Sequence, residues 1–170
     1  MARLALDPAL PSNQPSLSRY LFAEGTEPAD CIQGQLGDCW LLSAFACLAE
    51  DSREIEGLFV DREFNPRGRY SVRIYDAIHK KNVIITIDDR IPCDRTSGRP
   101  CFTTPNGDEL WVCLLEKAFA KFCGSYHALE GGLTAWALEA MTGDRVYRFS
   151  RITPKKATEV WGVCVGAATT

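Results

Sequence analysis

The chain has 170 residues, 46% of them hydrophobic and 10% aromatic, enough apolar material for one buried core. Its formal charge of −3, with no arginine-rich or aromatic-interleaved stripe, excludes a nucleic-acid surface. The opening run Met1-Ala2-Arg3-Leu4-Ala5-Leu6 is broken by Asp7-Pro8 and no apolar stretch reaches bilayer length, so the expectation is a cytoplasmic chain with no leader and no membrane span.

Residues 1–19 combine Pro8, Pro11 and Pro15 with Ser12, Ser16 and Ser18. Such a composition buries too little apolar surface to offset its ordering entropy, which predicts a flexible N-terminal arm. Residues 20–150 carry the patterning of one folded unit. Gln33-Gly34-Gln35-Leu36-Gly37-Asp38-Cys39-Trp40 passes from a glycine-hinged loop into an apolar stretch. From Trp40 to Ala49 apolar residues fall on nearly every face, as in a helix through the centre of a domain, and Asp38 suits its cap. Residues 55–59 predict a short helix, and Asn65-Pro66-Arg67-Gly68 is a turn by its chemistry. Tyr70 to Tyr75 alternates apolar and polar residues, and Val83 to Ile87 is dense in β-branched types, which predicts a hairpin with His79 near its tip. Asp88-Asp89-Arg90-Ile91-Pro92 ends the second strand, and residues 95–107 read as a surface loop. Leu110, Leu114, Leu115, Ala118, Phe119 and Phe122 recur at helical spacing within 109–122, with Gly124 placed to stop the helix. A third helix over 133–141 ends at Gly143, and Val146 to Phe149 starts a strand. Residues 151–170 hold no element long enough to close a domain and read as a truncated tail. The fold expected is α+β: a buried central helix with a cysteine at its N-terminus, two further helices on it, and a small antiparallel hairpin on one side.

Eight cysteines invite a disulfide framework or a zinc site, but their spacing supports neither. There is no C-x-x-C pair, and no zinc is expected. Cys47, Cys113 and Cys123 fall within apolar helical patterns, where a free thiol packs as a small hydrophobe. Cys39 stands apart. In the first turn of a helix a thiol faces unpaired backbone N–H groups and the positive end of the macrodipole, both of which favour the thiolate nucleophile.

The segment Gln-Gly-Gln-Leu-Gly-Asp-Cys-Trp-Leu-Leu-Ser-Ala over residues 33–44 closely resembles the active-site segment of the calpains, papain-like cytosolic cysteine proteases that depend on calcium. Asp88 to Pro92, Leu110-Trp111 followed by Leu114-Leu-Glu-Lys-Ala118, Gly124-Ser-Tyr126 and Ala128-Leu-Glu-Gly-Gly132 are similar to further calpain segments, in the same order. The likeness runs from about residue 20 to 145 and corresponds to the first of two subdomains of a calpain protease core.

That resemblance implies a cysteine endopeptidase acting on polypeptide substrates, with Cys39 as nucleophile and Gln33 as a side-chain donor to the oxyanion, a donor type typically worth about 10²–10³ in turnover. A thiol protease also needs an imidazole and a group that fixes its tautomer. In papain-like enzymes these lie about 130–150 residues beyond the cysteine. The two histidines here are His79, at the hairpin tip, and His127, at a family position that is not the catalytic one. The catalytic His and Asn of calpains belong to the second subdomain, which is therefore the partner implied, and little or no peptidase activity is expected from these residues alone. The resemblance also implies one Ca²⁺ in this subdomain, with carbonyls from Ala23 and Gly25 and a carboxylate from Asp30. It aligns the completing carboxylate with His127, where an imidazole would weaken a site for a hard cation, with Glu130 as a nearby substitute. The competing expectation is a non-catalytic calpain-like module that binds protein through the surface left for the second subdomain.

Overall fold

The computed structural model describes residues 2–3, 20–23, 25–107 and 109–147. In chain order the elements are β1 (Ala2–Arg3), α1 (Cys39–Ala49), α2 (Ser52–Glu56), β2 (Arg69–Asp76), β3 (Lys81–Asp88), β4 (Arg90–Ile91), α3 (Trp111–Cys123) and α4 (Thr134–Thr142). Short 3-10 turns occupy Pro28–Asp30 and His127–Leu129. The architecture is α+β, as expected.

α1 is the hub because its sequence gives it apolar side chains on more than one face: Leu41, Ala44 and Phe45 are fully buried. The Phe45 ring lies 5.7 Å from that of Phe119 and 6.5 Å from that of Trp111, which docks α3. Trp40, 5.6 Å from Trp136, docks α4. Aromatic pairs at such separations prefer tilted or edge-on geometry, and these rings stand at 50–55°.

β2 and β3 pair antiparallel in unbroken register from Arg69 opposite Asp88 to Asp76 opposite Lys81. Period-2 alternation turns Tyr70, Val72 and Ile74 into the core. α3 latches onto the hairpin with its lysines: Lys117 Nζ donates to the carbonyls of Asp88 and Arg90 and to the Asp88 carboxylate, and Lys121 Nζ donates to the Thr86 carbonyl. Gly124 closes α3 at φ 102°, a left-handed position that only glycine adopts at low cost. Among the described residues no helix is long and apolar enough to cross a membrane.

Several details differ from the sequence reading. α2 starts earlier than residue 55, because the Asp51 carboxylate accepts the Arg53 N–H and caps it, while Leu58 and Phe59 are buried in the turn that follows. Cys47 does not pack: α1 presents it to solvent, whereas Cys113 is buried and Cys123 half-buried. Asp38 occupies the position before α1, but its side chain caps nothing. The run after β3 continues as β4, which pairs with β1, and buries Asp89. The loop over 95–107 is exposed at first but drives Thr103 into the interior. Val146 and Tyr147 are not in a strand, and residues 148–149 lie outside the described residues. So do the tail over 151–170 and, apart from β1, the arm over 1–19.

Candidate active site

The loop over residues 32–38 is held from two directions. On one side it forms a bridge with the 101–104 segment: Gln35 N–H donates to the Cys101 carbonyl (3.2 Å) and Thr104 N–H donates to the Ile32 carbonyl (3.1 Å). The approach is so close that a Cβ on Gly34 would overlap the Phe102 carbonyl, which is why glycine is required there. On the other side Gly131 N–H donates to the Gly37 carbonyl (3.0 Å), and the Trp40 indole donates to the Leu129 carbonyl (2.8 Å). Gly132 abuts the Trp40 ring so tightly that a side chain there would displace it.

Between these braces α1 begins. The Asp38 carbonyl accepts from Leu41 N–H (2.8 Å) and Leu42 N–H (3.1 Å), which fixes the first turn. Cys39 is its first residue and is exposed. Its own N–H has no intrahelical acceptor, so it is open to a ligand at the same point as the sulfur. Gln33 is exposed and its Nε2 donates to the Leu36 carbonyl at 2.8 Å, which orients the amide while leaving its second hydrogen free for an incoming oxygen.

Below this surface lies a buried acidic pair. Asp38 and Glu116 are each 1% exposed and lie close enough to influence each other's protonation. Both Glu116 oxygens also accept from Thr103 N–H at 3.3 Å. Burial, then the proximity of Asp38, pushes Glu116 up to about 8, and burial raises Asp38 above the ordinary carboxylate range. Tyr126 is raised by burial and by Glu116, and Cys113 likewise. Nothing in the sequence marked this pair: Asp38 has the spacing of a cap, and Glu116 is one charge in an apolar helix. The available signal was that a carboxylate on the α3 face that meets α1 must find a partner or a proton.

Neither histidine approaches this chemistry through its hydrogen bonds. His79, exposed in the hairpin turn, has its Nδ1 2.5 Å from Asp76 Oδ2, which holds the Asp76 carboxyl below its usual range. His127 is exposed with Nδ1 3.3 Å from Glu130 Oε2. Each is engaged by a carboxylate of its own turn.

The residues expected to bind calcium divide. Asp30 is 7% exposed; its Oδ2 accepts from Glu27 N–H (2.8 Å) and from the Trp111 indole (3.2 Å). The same indole donates to Glu109 Oε2 (2.9 Å), and Glu109 Oε1 accepts from Ala23 N–H (3.1 Å). The structure therefore brings Ala23, Asp30 and Glu109 together, with Gly25 two residues from Ala23 at φ 104°. Glu109 was not foreseen. His127 and Glu130 are instead engaged with each other. Among the described residues no three His, Cys, Asp or Glu side chains form a group that could hold a metal ion.

Comparison with known proteins matches residues 11–169 to the calpain family cysteine proteases. The calpain-type cysteine protease DEK1 of Arabidopsis thaliana is 48% identical over 124 residues, which cover 72% of this chain and 6% of that protein. Calpain clp-1 of Caenorhabditis elegans is 42% identical over 127 residues, covering 72% of this chain and 16% of that protein. Calpain-10 of Rattus norvegicus is 38% identical over 146 residues, covering 81% and 21%. The chain thus spans about a fifth or less of the length of these relatives.

Proposed function

The chain belongs to the calpain family of cysteine proteases, and from that premise we propose that it is the nucleophile-bearing part of a calpain-type cysteine endopeptidase that hydrolyses peptide bonds through Cys39. The observation that carries this reading is the exposed thiol at the first residue of α1, in a loop braced on both sides. In the proposed reaction the sulfur attacks the scissile carbonyl carbon, and the electron pair moves to oxygen. That oxyanion is met by the Cys39 N–H and the second hydrogen of the Gln33 amide. Expulsion of the amine requires a proton, which a general acid supplies at a gain of about 10²–10⁴. Both histidines here are tied to carboxylates in exposed turns, so this reading assigns the imidazole and its orienting Asn to a second protease subdomain. A nucleophilic thiol among the free cysteines suits a reducing, cytoplasmic setting.

The test is reconstitution. The 170-residue chain alone is expected to show no measurable cleavage of a peptide substrate, and mixing with a separately produced calpain second subdomain is expected to restore turnover. Robust hydrolysis by the chain alone would defeat the half-site reading.

We extend the proposal to one calcium ion held by Asp30, Glu109 and the backbone oxygens of Ala23 and Gly25. What supports it is that the Trp111 indole and the Ala23 N–H gather two carboxylates, hard oxygen ligands, beside the Ala23–Gly25 backbone. Isothermal calorimetry with CaCl₂ is expected to show binding that Glu109→Gln weakens by more than about tenfold and that His127→Ala leaves unchanged. The opposite pattern would return the site to His127.

A further inference from the structure

β3 has one neighbour in its sheet, β2, so its other edge is open wherever nothing covers it. The register tells which backbone groups face that edge. Ser71 and Arg73 on β2 turn theirs away from β3: the Ser71 carbonyl accepts from Val60 N–H (2.9 Å), and Arg73 N–H donates to the Leu58 carbonyl (2.7 Å). In an antiparallel pair, two residues opposite one another point their N–H and C=O groups either at each other or both outward. Thr86 opposite Ser71, Ile84 opposite Arg73 and Asn82 opposite Tyr75 therefore point outward. The lysines of α3 fit this geometry, since Lys121 donates to the Thr86 carbonyl and Lys117 to that of Asp88. They cover the edge from Thr86 onward. At Asn82 and Ile84 two N–H and two C=O groups have no hydrogen-bond partner among the described residues.

The open stretch is positive. Lys80 and Lys81, both exposed, lead into it, and Lys121 and Lys117 stand at its far end. No acidic residue lies between Ala77 and Ile87, and the flanking acids are engaged: Asp76 with the Ile78 and His79 N–H groups and the His79 ring, Asp88 with Lys117. In a chain of formal charge −3 this is a local reversal of sign. Side chains along β3 divide by period two: Ile84, 51% exposed, faces solvent, whereas Lys81 shares the parity of buried Ile87. We propose that the edge of β3 at Asn82 and Ile84 receives an extended acidic segment of a partner polypeptide as a third strand. Its backbone pairs with Asn82 and Ile84, its apolar side chains lie beside Ile84, and its carboxylates meet Lys81 and Lys121. Lysines along an edge repel a second copy of that edge, so they select an occupant of opposite charge. This surface is independent of Cys39, and its role stands or falls apart from the proposed function.

The test uses the full chain, isotopically labelled for NMR, and an acetylated, amidated hexapeptide of alternating glutamate and valine. Hydrogen exchange at the Asn82 and Ile84 amides is expected to slow about tenfold when the peptide is at about ten times its Kd, with the Val83 and Ile85 amides, already paired to β2, unchanged. Lysine in place of glutamate in the peptide, or Lys80→Glu combined with Lys81→Glu in the protein, is expected to weaken binding by about tenfold or more. Ile84→Pro deletes an outward N–H while leaving the ladder to β2 whole, and is expected to abolish binding. Should that variant fail to fold, a peptide methylated on its backbone amides applies the same test to the unchanged protein. A peptide that binds without slowing exchange at Asn82 and Ile84, or equally well when methylated, would overturn the proposal, as would no binding at millimolar peptide. Phosphatidylserine vesicles that bind through Lys80 and Lys81 while the peptide does not would overturn it in favour of a lipid surface.

Discussion

Cys39→Ala, introduced into protein reconstituted with the second subdomain, is expected to lower peptide hydrolysis by about 10⁴-fold or more while leaving the melting temperature unchanged. The size of the loss follows from the way nucleophile and base act as one unit: with the sulfur gone the imidazole has nothing to activate, and only oxyanion binding and substrate positioning remain. The insensitivity of stability follows from the structure. Cys39 is exposed and makes none of the packing contacts that anchor α1, which come from Leu41, Ala44 and Phe45, so its truncation belongs with surface changes of within about 0.5 kcal/mol. Steady-state cleavage of a fluorogenic peptide and a thermal melt on the same sample check both halves. Residual turnover above about 1% of wild type would place the nucleophile elsewhere.

The elements legible in the sequence were those fixed by local rules. Val72 and Ile74 alternate with polar neighbours and form β2; Leu114, Ala118 and Phe119 recur at helical spacing and form α3; Gly124 and Gly143 end their helices where a left-handed residue is needed. Cys39 at the first position of α1 was legible for the same reason, since a glycine-hinged loop running into an apolar stretch marks a helix start. Illegible were the contacts that depend on residues far apart in the chain. Thr103 reads as a loop residue because it lies between Pro100 and Pro105 in a segment with two glycines, yet the bridge between Ile32 and Thr104 draws it inward. Asp38 reads as a cap from its spacing, but its side chain is buried and caps nothing, and that burial has no local signature. The pairing of Asp30 with Glu109 is equally silent in the sequence, because nothing local reveals that the Trp111 indole gathers both carboxylates onto one donor. Cys47 shows the reverse error: a helix apolar by composition still has one face in water.

The buried pair also dictates how the fold responds to pH. Glu116, held up to about 8 in the native state, has an ordinary value of 4.5 once the chain unfolds. Between those limits the native protein keeps a proton that the unfolded chain has released, so stability falls as pH rises through this window. The contribution is complete below about 4.5 and exhausted above about 8; Asp38, raised in the same direction, adds with the same sign at the acid end. Asp51, Asp76 and Asp94 act oppositely. Their carboxyls are held down by hydrogen bonds from Arg53, His79 and Ser97, so the stability they lend is present above their unfolded range and lost on acidification. Asp94 is exposed and Asp51 and Asp76 are partly open to water, so screening keeps these terms small, whereas Glu116 is enclosed. Maximal stability is therefore expected near about pH 5, with a loss on the order of 2–4 kcal/mol, or roughly 5–10 °C in melting temperature, on going to about pH 8. Glu116→Gln is expected to flatten that decline, because the amide has no proton to lose. Thermal melts across this range decide the matter: a melting temperature that climbs between about pH 5 and about pH 8, or an undiminished decline in the Gln variant, would show that the pair does not hold its proton in the folded state.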